Sequence, residues 1–175
     1  MADNGMLFGE HRMMRSKGGP YEESNGVALV VRGPGIPAGA RRGHIVTNAD
    51  LAATFADWAG ATPPPNMDGR TLKPLMTGSP PGQNKWRQAM PLTLVRNGST
   101  PAWPGFYGVR TRNYMYAHYD TGDQELYDLR TDRYELQNIV GSVSPDFVAR
   151  HDYALKLNAC HAQTCRELEA LRVLP

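Results

Sequence analysis

The chain has 175 residues, of which 41% are hydrophobic, so it is long enough and apolar enough to bury a core as one domain or as two small ones. Its 19 basic and 17 acidic side chains give a formal net charge of +2, which is too balanced to indicate nucleic acid or an anionic membrane surface as a partner. No stretch reaches the roughly 18 uninterrupted apolar residues that a membrane helix needs, and the first residues lack the pattern of a signal peptide.

The first predicted elements are a strand and a helix. Residues 27–32 (VALVVR) form a short β-branched apolar run followed by glycine and proline, which predicts a buried strand of a parallel sheet. Asn48 is placed to cap a helix that ends before Gly60. The apolar residues of this segment recur at helical spacing and predict one apolar face that covers a sheet; they are Leu51, Phe55 and Trp58.

The second half of the chain has a different pattern. Residues 62–84 are rich in turn formers, with a brief helical possibility at 70–76, and they predict a long surface connection near a domain boundary. Four segments separated by short turns then predict an antiparallel meander, and Ser144 caps a helix that follows it. We therefore expect two domains, residues 1–80 and 81–175. The predicted strands are residues 90–95, 106–110, 114–119 and 124–129.

The first residues of the chain concentrate polar groups that could bind a cation or an anion. Asp3 and Asn4 end in oxygens that suit calcium, although two adjacent side chains cannot supply the roughly six to eight oxygens that calcium takes. Asn4 followed by Gly5 is also typical of an ordinary β-turn without a metal. Lys17 could receive a sulfate or phosphate oxygen, and His11 could bind an anion or shuttle a proton. A solvated lysine and a packing histidine are the simpler alternatives.

Several spaced motifs resemble those of one enzyme family, the type I sulfatases. The segments DNGMLFGEHR, KGGPYEES and LVVRGPGIPAG resemble the second half of the sulfatase catalytic domain. The segment NADLAATFADWAGATPPPNMDGRTLKPLM resembles the next strand and helix, and YGVRTRNYMYAHYDTGDQELYDLRTDRYELQNIV resembles the C-terminal subdomain. These motifs follow the order of the family and cover nearly all of residues 3–140, which makes the resemblance far more specific than any one of them alone.

The resemblance implies an α/β fold, a truncated alkaline-phosphatase-like sandwich followed by a small C-terminal antiparallel sheet with a packed helix. In that family the Asp-Asn pair completes a calcium site, which makes Asp3 and Asn4 metal ligands, and the lysine before glycine contacts the substrate sulfate, which assigns Lys17. His11 is carried over as a further catalytic-pocket residue. Because related phosphatases and phosphonate hydrolases tend to have histidine at the position of Asn4, the amide favours sulfate esters.

The mechanism that the resemblance implies needs parts that this sequence lacks. Family members hydrolyse sulfate esters with calcium and a formylglycine made from the Cys or Ser of a C/S-x-P-x-R motif, and no such motif occurs here. We therefore expect a C-terminal fragment, a mis-called start or a split gene product, with an incomplete calcium site and no activity alone.

The expected partners are a sulfated small molecule or glycan and, at the truncated sheet, a second copy or an N-terminal half. Two alternatives stay open: a non-catalytic fragment that binds calcium or an oxyanion, and a split half that complements a separate N-terminal chain.

The two cysteines, Cys160 and Cys165, flank the short segment HAQT and could close a small disulfide loop. Because members of the resembling family are commonly exported, a bridge is slightly favoured over two reduced thiols. A zinc site is disfavoured because these cysteines and His161 would supply three ligands at an awkward spacing.

Overall fold

The computed structural model describes residues 1–14, 17–95 and 104–170, apart from the side chains of residues 154 and 155. The first part of the chain has little regular structure. It contains a short 3-10 helix at Glu10–Arg12 and two α-helices, α1 (Glu22–Asn25) and α2 (Ala49–Trp58). Within the described ranges, none of the helices is long and apolar enough to cross a membrane.

The predicted strand at residues 27–32 is wrong. A strand persists only when a neighbouring strand satisfies its backbone groups, and no described segment pairs with these residues. Their apolar side chains are divided between two environments: Val30 is 85% exposed, whereas Leu29 packs against a small apolar cluster. That cluster also receives residues from α2 and from the 3-10 helix Lys73–Met76, which lies inside the segment predicted as briefly helical; its buried members are Leu72, Leu75 and Trp86.

Helix α2 confirms the helix predicted from the sequence, with one change at its start. It ends as expected, because Gly60 adopts a φ of +67° that closes the last turn. Asn48, however, does not cap the helix with its side chain. The carboxylate of Asp50 instead accepts a 2.8 Å hydrogen bond from the backbone N–H of Thr47, which precedes the helix.

The face that α2 buries differs from the predicted apolar face. Phe55 is 59% exposed and Trp58 is 48% exposed, although both recur at helical spacing. The helix is turned so that two polar residues point inward, because each finds hydrogen-bonding partners there. The buried residues of α2 are Asp50, Ala53 and Thr54.

A four-stranded antiparallel sheet forms the second part of the molecule. Its strands follow chain order, β1-β2-β3-β4, and each pairs with its sequence neighbours. This confirms the predicted meander, because short turns join β2 to β3 and β3 to β4 as the sequence indicated. The strands are β1 (Ala89–Leu94), β2 (Phe106–Thr111), β3 (Tyr114–Tyr119) and β4 (Gln124–Asp128).

The sheet is covered on both faces, as the central strand β3 demonstrates. Tyr114, Met115, Tyr116 and Ala117 are all at most 4% exposed, so neighbouring side chains that point to opposite faces are equally buried. Residues on one face pack against Tyr21, just before α1. Those on the other face pack against the C-terminal helices. The core therefore has two layers of side chains, one on each side of the sheet.

Three helices replace the one that was predicted after the meander. They are α3 (Pro145–His151), α4 (Ala154–Asn158) and α5 (Ala162–Ala170). The predicted start is confirmed, because the Ser144 hydroxyl accepts a 3.2 Å hydrogen bond from the backbone N–H of Phe147. A disulfide joins Cys160 to Cys165 across the start of α5, as the resemblance slightly favoured. Leu157 of α4 is 2% exposed and packs on the sheet, as expected for this segment.

Candidate functional site

The backbone brings the two predicted ligand-binding segments to one residue, Ser24 of α1. The N–H of Gly5, which follows Asn4, donates to the Ser24 carbonyl at 2.8 Å. The N–H of Gly18, which follows Lys17, donates to the Ser24 hydroxyl at 2.9 Å. The structure therefore places the predicted calcium-binding pair and the predicted sulfate-binding lysine on neighbouring loops that share a buried anchor.

Gly5 is needed at this junction for its lack of a side chain. A Cβ atom built on Gly5 would lie 2.0 Å from the backbone oxygen of Glu23, which is far closer than any real contact. The sequence indicated a glycine that allows a sharp turn after Asn4, whereas the structure uses it for close approach to α1.

Asp3 is exposed and Asn4 is half-buried. The backbone carbonyl of Asp3 accepts a 2.8 Å hydrogen bond from the side chain of Asn48, so that residue positions the loop in place of capping α2. The side-chain nitrogen of Asn4 donates to the Gly5 carbonyl at 2.7 Å. This hydrogen bond uses the amide nitrogen of Asn4 and not its oxygen, which is the atom that a cation binds. The Asp3 carboxylate and the Asn4 amide oxygen are donors of the kind that calcium takes.

Lys17 is exposed, and within the described part of the chain no carboxylate forms an ion pair with it. An ammonium group in this position keeps its charge available for an anionic oxygen. Its role as a sulfate ligand stays a prediction.

His11 is largely buried and packs on Tyr21, the residue before α1. Its ring stacks on the ring of Tyr21 with centroids 3.6 Å apart and planes 5° from parallel, and its side chain is 9% exposed. Its Nε2 atom is 3.5 Å from a carboxylate oxygen of Glu23. The side chain of Glu135 completes this group, since one ligand-capable atom from each of His11, Glu23 and Glu135 lies within 4.8 Å of the others. Whether His11 acts in catalysis stays a prediction.

Polar contacts fix α1, and with it the candidate site, on the sheet. The Tyr21 hydroxyl lies 3.1 Å from both carboxylate oxygens of Glu125, which also accepts a 2.9 Å hydrogen bond from the Tyr119 hydroxyl. Burial and the adjacent Glu125 carboxylate raise the pKa of Tyr21, so the phenol stays a donor. The backbone N–H of Glu22 donates to Glu135 at 2.8 Å. The geometry of the site therefore depends on residues more than a hundred positions away in the sequence.

A buried ion-pair network makes a second connection between the two parts of the chain. Arg87, which is 2% exposed, makes two hydrogen bonds of 2.6 and 2.8 Å to Asp50 of α2. Burial alone would raise the pKa of Asp50, but its hydrogen bonds with Arg87 and the positive charge of Arg87 lower it overall. The Arg87 Nε also lies 2.9 Å from Glu169 of α5, and Arg70 contacts the same carboxylate. This network holds α2, the sheet and the C-terminal helix in one arrangement.

Sequence reasoning identified the loops but not the residues that support them. Glu22 and Glu23 lie in the segment KGGPYEES, which resembles a sulfatase motif. This resemblance could have indicated that they lie near the candidate site. Glu135 could not, because its contact with α1 joins residues 113 positions apart.

Comparison with known proteins places this arrangement in a family. A family model described as N-sulphoglucosamine sulphohydrolase, C-terminal, matches residues 9–161. The chain is 32% identical over 143 residues to N-acetylglucosamine-6-O-sulfatase of Bacteroides thetaiotaomicron, a match that covers 80% of this chain and 25% of that protein. It is 32% identical over 148 residues to arylsulfatase K of Homo sapiens, covering 79% of this chain and 26% of that protein. The chain thus spans about a quarter of the length of these relatives.

Solved structures have the same fold. One, solved in complex with its substrate D-glucosamine-2-N,6-O-disulfate, superimposes with a TM-score of 0.75 at 30% identity over 88% of this chain and 31% of that one. Another is the phosphonate monoester hydrolase of Agrobacterium radiobacter, with a TM-score of 0.69 at 28% identity over 89% of this chain and 33% of that one. From the family match and these similarities, the chain belongs to the sulfatase family and corresponds to its C-terminal portion.

Proposed function

We propose that this chain carries the calcium-binding pair and the sulfate-binding lysine of a sulfatase that hydrolyses sulfate esters of glucosamine. The observation that best supports this is the junction at Ser24, which holds the loop of Asn4 and the loop of Lys17 together within a sulfatase-family fold. Neither loop alone distinguishes a functional site from an ordinary surface turn. Two such loops anchored on one residue form the kind of surface on which a cation and an ammonium group can share an anion.

Each residue has a role that follows from its chemistry. Asp3 and Asn4 would hold calcium together with oxygens from outside this chain, and the ion would neutralise charge on the sulfate oxygens. Lys17 would contact a further sulfate oxygen and stabilise the negative charge that develops as the ester bond breaks. The attacking formylglycine belongs to a C/S-x-P-x-R motif that these residues do not include, so we expect the isolated chain to be inactive.

The proposed substrate class comes from the relatives. One similar curated protein is an N-acetylglucosamine-6-O-sulfatase, and one similar structure was solved with a disulfated glucosamine as its substrate. A sulfated glucosamine, free or within a glycan, is therefore our choice over a simple aryl sulfate.

The similarity to a phosphonate monoester hydrolase supports a second candidate, hydrolysis of phosphonate esters. Asn4 argues against it, because an amide oxygen suits calcium, whereas a histidine at this position would suit zinc or manganese. We therefore rank sulfate ester hydrolysis first.

The test begins with the DNA upstream of the coding sequence, which we expect to encode an in-frame C/S-x-P-x-R motif, or else a partner gene that does. The polypeptide that joins this motif to residues 1–175, or the co-expressed pair, is then assayed with calcium against 6-O-sulfated N-acetylglucosamine, an aryl sulfate and a phosphonate monoester. We expect sulfate release to be fastest from the glucosamine ester and absent with the 175-residue chain alone. Preference for the phosphonate, or turnover by the chain alone, would contradict the proposal.

A further inference from the structure

A second group of ligand-type side chains includes a residue of α1, and the proposed sulfatase chemistry does not use it as a unit. It consists of His11 in the 3-10 helix Glu10–Arg12, Glu23 in α1 and Glu135 in the loop after β4. We call it the His11 cluster. Its members are distant in the sequence and lie close together only in the folded structure.

Two carboxylate oxygens in the His11 cluster are buried without a hydrogen-bond donor. Glu135 is 1% exposed, and although one of its oxygens accepts from the N–H of Glu22, no donor in the described part of the chain reaches the other. The Glu23 oxygen that lies 3.5 Å from His11 Nε2 is equally inaccessible, and among the described residues none forms a hydrogen bond with it. A buried carboxylate oxygen without a donor is costly, and two of them beside each other require a positive charge or a proton between them.

In the described part of the chain, His11, when protonated, is the charged partner of Glu23, but no cation forms a hydrogen bond with the unpartnered oxygen of Glu135. Arg110 approaches α1, but its guanidinium pairs with Glu22 at 3.1 Å and not with the two oxygens in question. Burial and the charges of Glu22 and Glu23 raise the pKa of Glu135 to about 7, although the hydrogen bond from the Glu22 N–H and the charge of Arg110 oppose the rise. The carboxylate of Glu135 is therefore only partly compensated.

We propose that the His11 cluster is a binding site for a divalent transition-metal ion of the zinc class. One imidazole nitrogen and two carboxylate oxygens form a donor set that zinc takes, with a water molecule in the fourth position. Calcium, which prefers oxygen ligands alone and more of them, fits this set poorly. The site is separate from the Asp3 and Asn4 pair and does not depend on the proposed sulfatase activity.

The geometry is close to that of a metal site. The 3.5 Å between His11 Nε2 and the Glu23 oxygen is near the roughly 3.3 Å that separates two ligands of a tetrahedral zinc ion. The third ligand atom lies within 4.8 Å of the others, so small side-chain movements complete the site. The stacked Tyr21 ring fixes the plane of the imidazole and leaves its Nε2 edge facing Glu23.

A metal ion in this position would act on the neighbouring loops. Glu23 directly precedes Ser24, the residue that anchors both Gly5 and Gly18. One bound ion would therefore join the 3-10 helix of His11, helix α1 and the loop after β4. It would hold the Asn4 and Lys17 loops in place without contacting the substrate.

The test is titration of the chelator-treated chain with Co²⁺, and with Zn²⁺ as competitor, in buffer that contains excess calcium. We expect one equivalent of Co²⁺ to give visible absorption that Zn²⁺ abolishes. His11→Gln and Glu135→Gln should each weaken the affinity by at least about tenfold. His161→Gln removes an exposed histidine near Asp68 and should leave the affinity unchanged.

A second readout on the unaltered chain covers the case in which a variant fails to fold. Zn²⁺ should stop the imidazole of His11 from titrating in NMR spectra and should raise the melting temperature. Absence of Co²⁺ absorption, or a His11 ring that titrates normally with Zn²⁺ present, would overturn the proposal and indicate a proton shared by Glu23 and Glu135. Binding lost in His161→Gln but retained in Glu135→Gln would also overturn it.

Discussion

The candidate site and the C-terminal sheet are built in opposite ways. In the sheet, valines and leucines such as Val109 and Leu126 are fully buried, and both faces are covered. In the first part of the chain, which carries the candidate site, several apolar side chains are exposed to solvent: Val30 is 85% exposed, Met14 is 77% exposed and Phe8 is 68% exposed. The sheet is held together by apolar packing, whereas the first part of the chain is joined to the sheet by the packed ring of Tyr21 and by a few polar contacts.

This difference explains how loops with little regular structure can keep a defined geometry. The contact of Tyr21 with Glu125, the contact of Glu22 with Glu135 and the ion pair of Asp50 with Arg87 each join the first part of the chain to the second. Hydrogen bonds are directional, so they fix orientation in a way that apolar contacts do not. Substitutions can weaken these two kinds of stabilisation separately.

Asp50→Ala should give the largest loss. It leaves the Arg87 guanidinium buried without its main partner, which typically costs about 3–5 kcal/mol in the free energy of unfolding. Urea unfolding measures the loss. The matched control is Asp57→Ala on the same helix, whose ion pair with Lys73 is partly exposed and whose removal should cost far less. Equal losses for the two variants would mean that the buried pair does not connect the two parts.

Val109→Ala and Val30→Ala make the same chemical change in the two parts of the molecule. Val109 is fully buried in β2, so its truncation should cost about 2 kcal/mol from lost burial and the cavity that remains. Val30 is 85% exposed, and its truncation should change the free energy of unfolding by less than about 0.5 kcal/mol. A large loss for Val30→Ala would contradict the description of this segment as unpaired.

Tyr21→Phe removes one polar contact between the two parts and keeps the ring that packs on the sheet. We expect a loss of about 1 kcal/mol in the free energy of unfolding, because Glu125 retains its bond from Tyr119. Tyr107→Phe, on a half-exposed side chain of β2, is the control and should be nearly neutral. If Tyr21→Phe were also neutral, the hydroxyl contact would have no part in holding the site.

His151→Leu should have its effect mainly in acid. Burial lowers the pKa of His151, and its hydrogen bond to the Phe147 carbonyl offsets this only in part. A folded-state pKa below the unfolded value means that stability present above about pH 6.5 is lost as the pH falls, since the unfolded chain takes up the proton more readily. His151→Leu should reduce this acid sensitivity in melting experiments, whereas His161→Leu, on an exposed side chain, should not.

The sequence was sufficient where structure is set by near neighbours. The four strands, the Ser144 cap and the end of α2 at Gly60 each depend on alternation, capping or turn residues within a few positions. Predictions failed where distant residues decide. Residues 27–32 have strand-like composition but no neighbouring strand in the described ranges, and α2 buries Asp50 because Arg87 lies opposite.

The same limit applies to the candidate site. Asp3, Asn4, Lys17 and His11 were predicted because their motifs resemble those of one family, and their roles stay predictions. The contact of Glu135 with α1, by contrast, cannot be predicted from neighbouring residues in the sequence. The resemblance supplied the family, and the structure supplied the residues that anchor the loops.

The most direct test of the proposed function is the effect of Lys17→Ala on sulfate release from 6-O-sulfated N-acetylglucosamine by the polypeptide that includes the nucleophile motif. We expect a loss of about 10²–10³ in kcat/KM, as for removal of a donor that stabilises transition-state charge. The same polypeptide with Lys85→Ala, which changes another exposed lysine, should be unaffected. Equal activity of the two variants would contradict the assignment of Lys17 as the sulfate ligand.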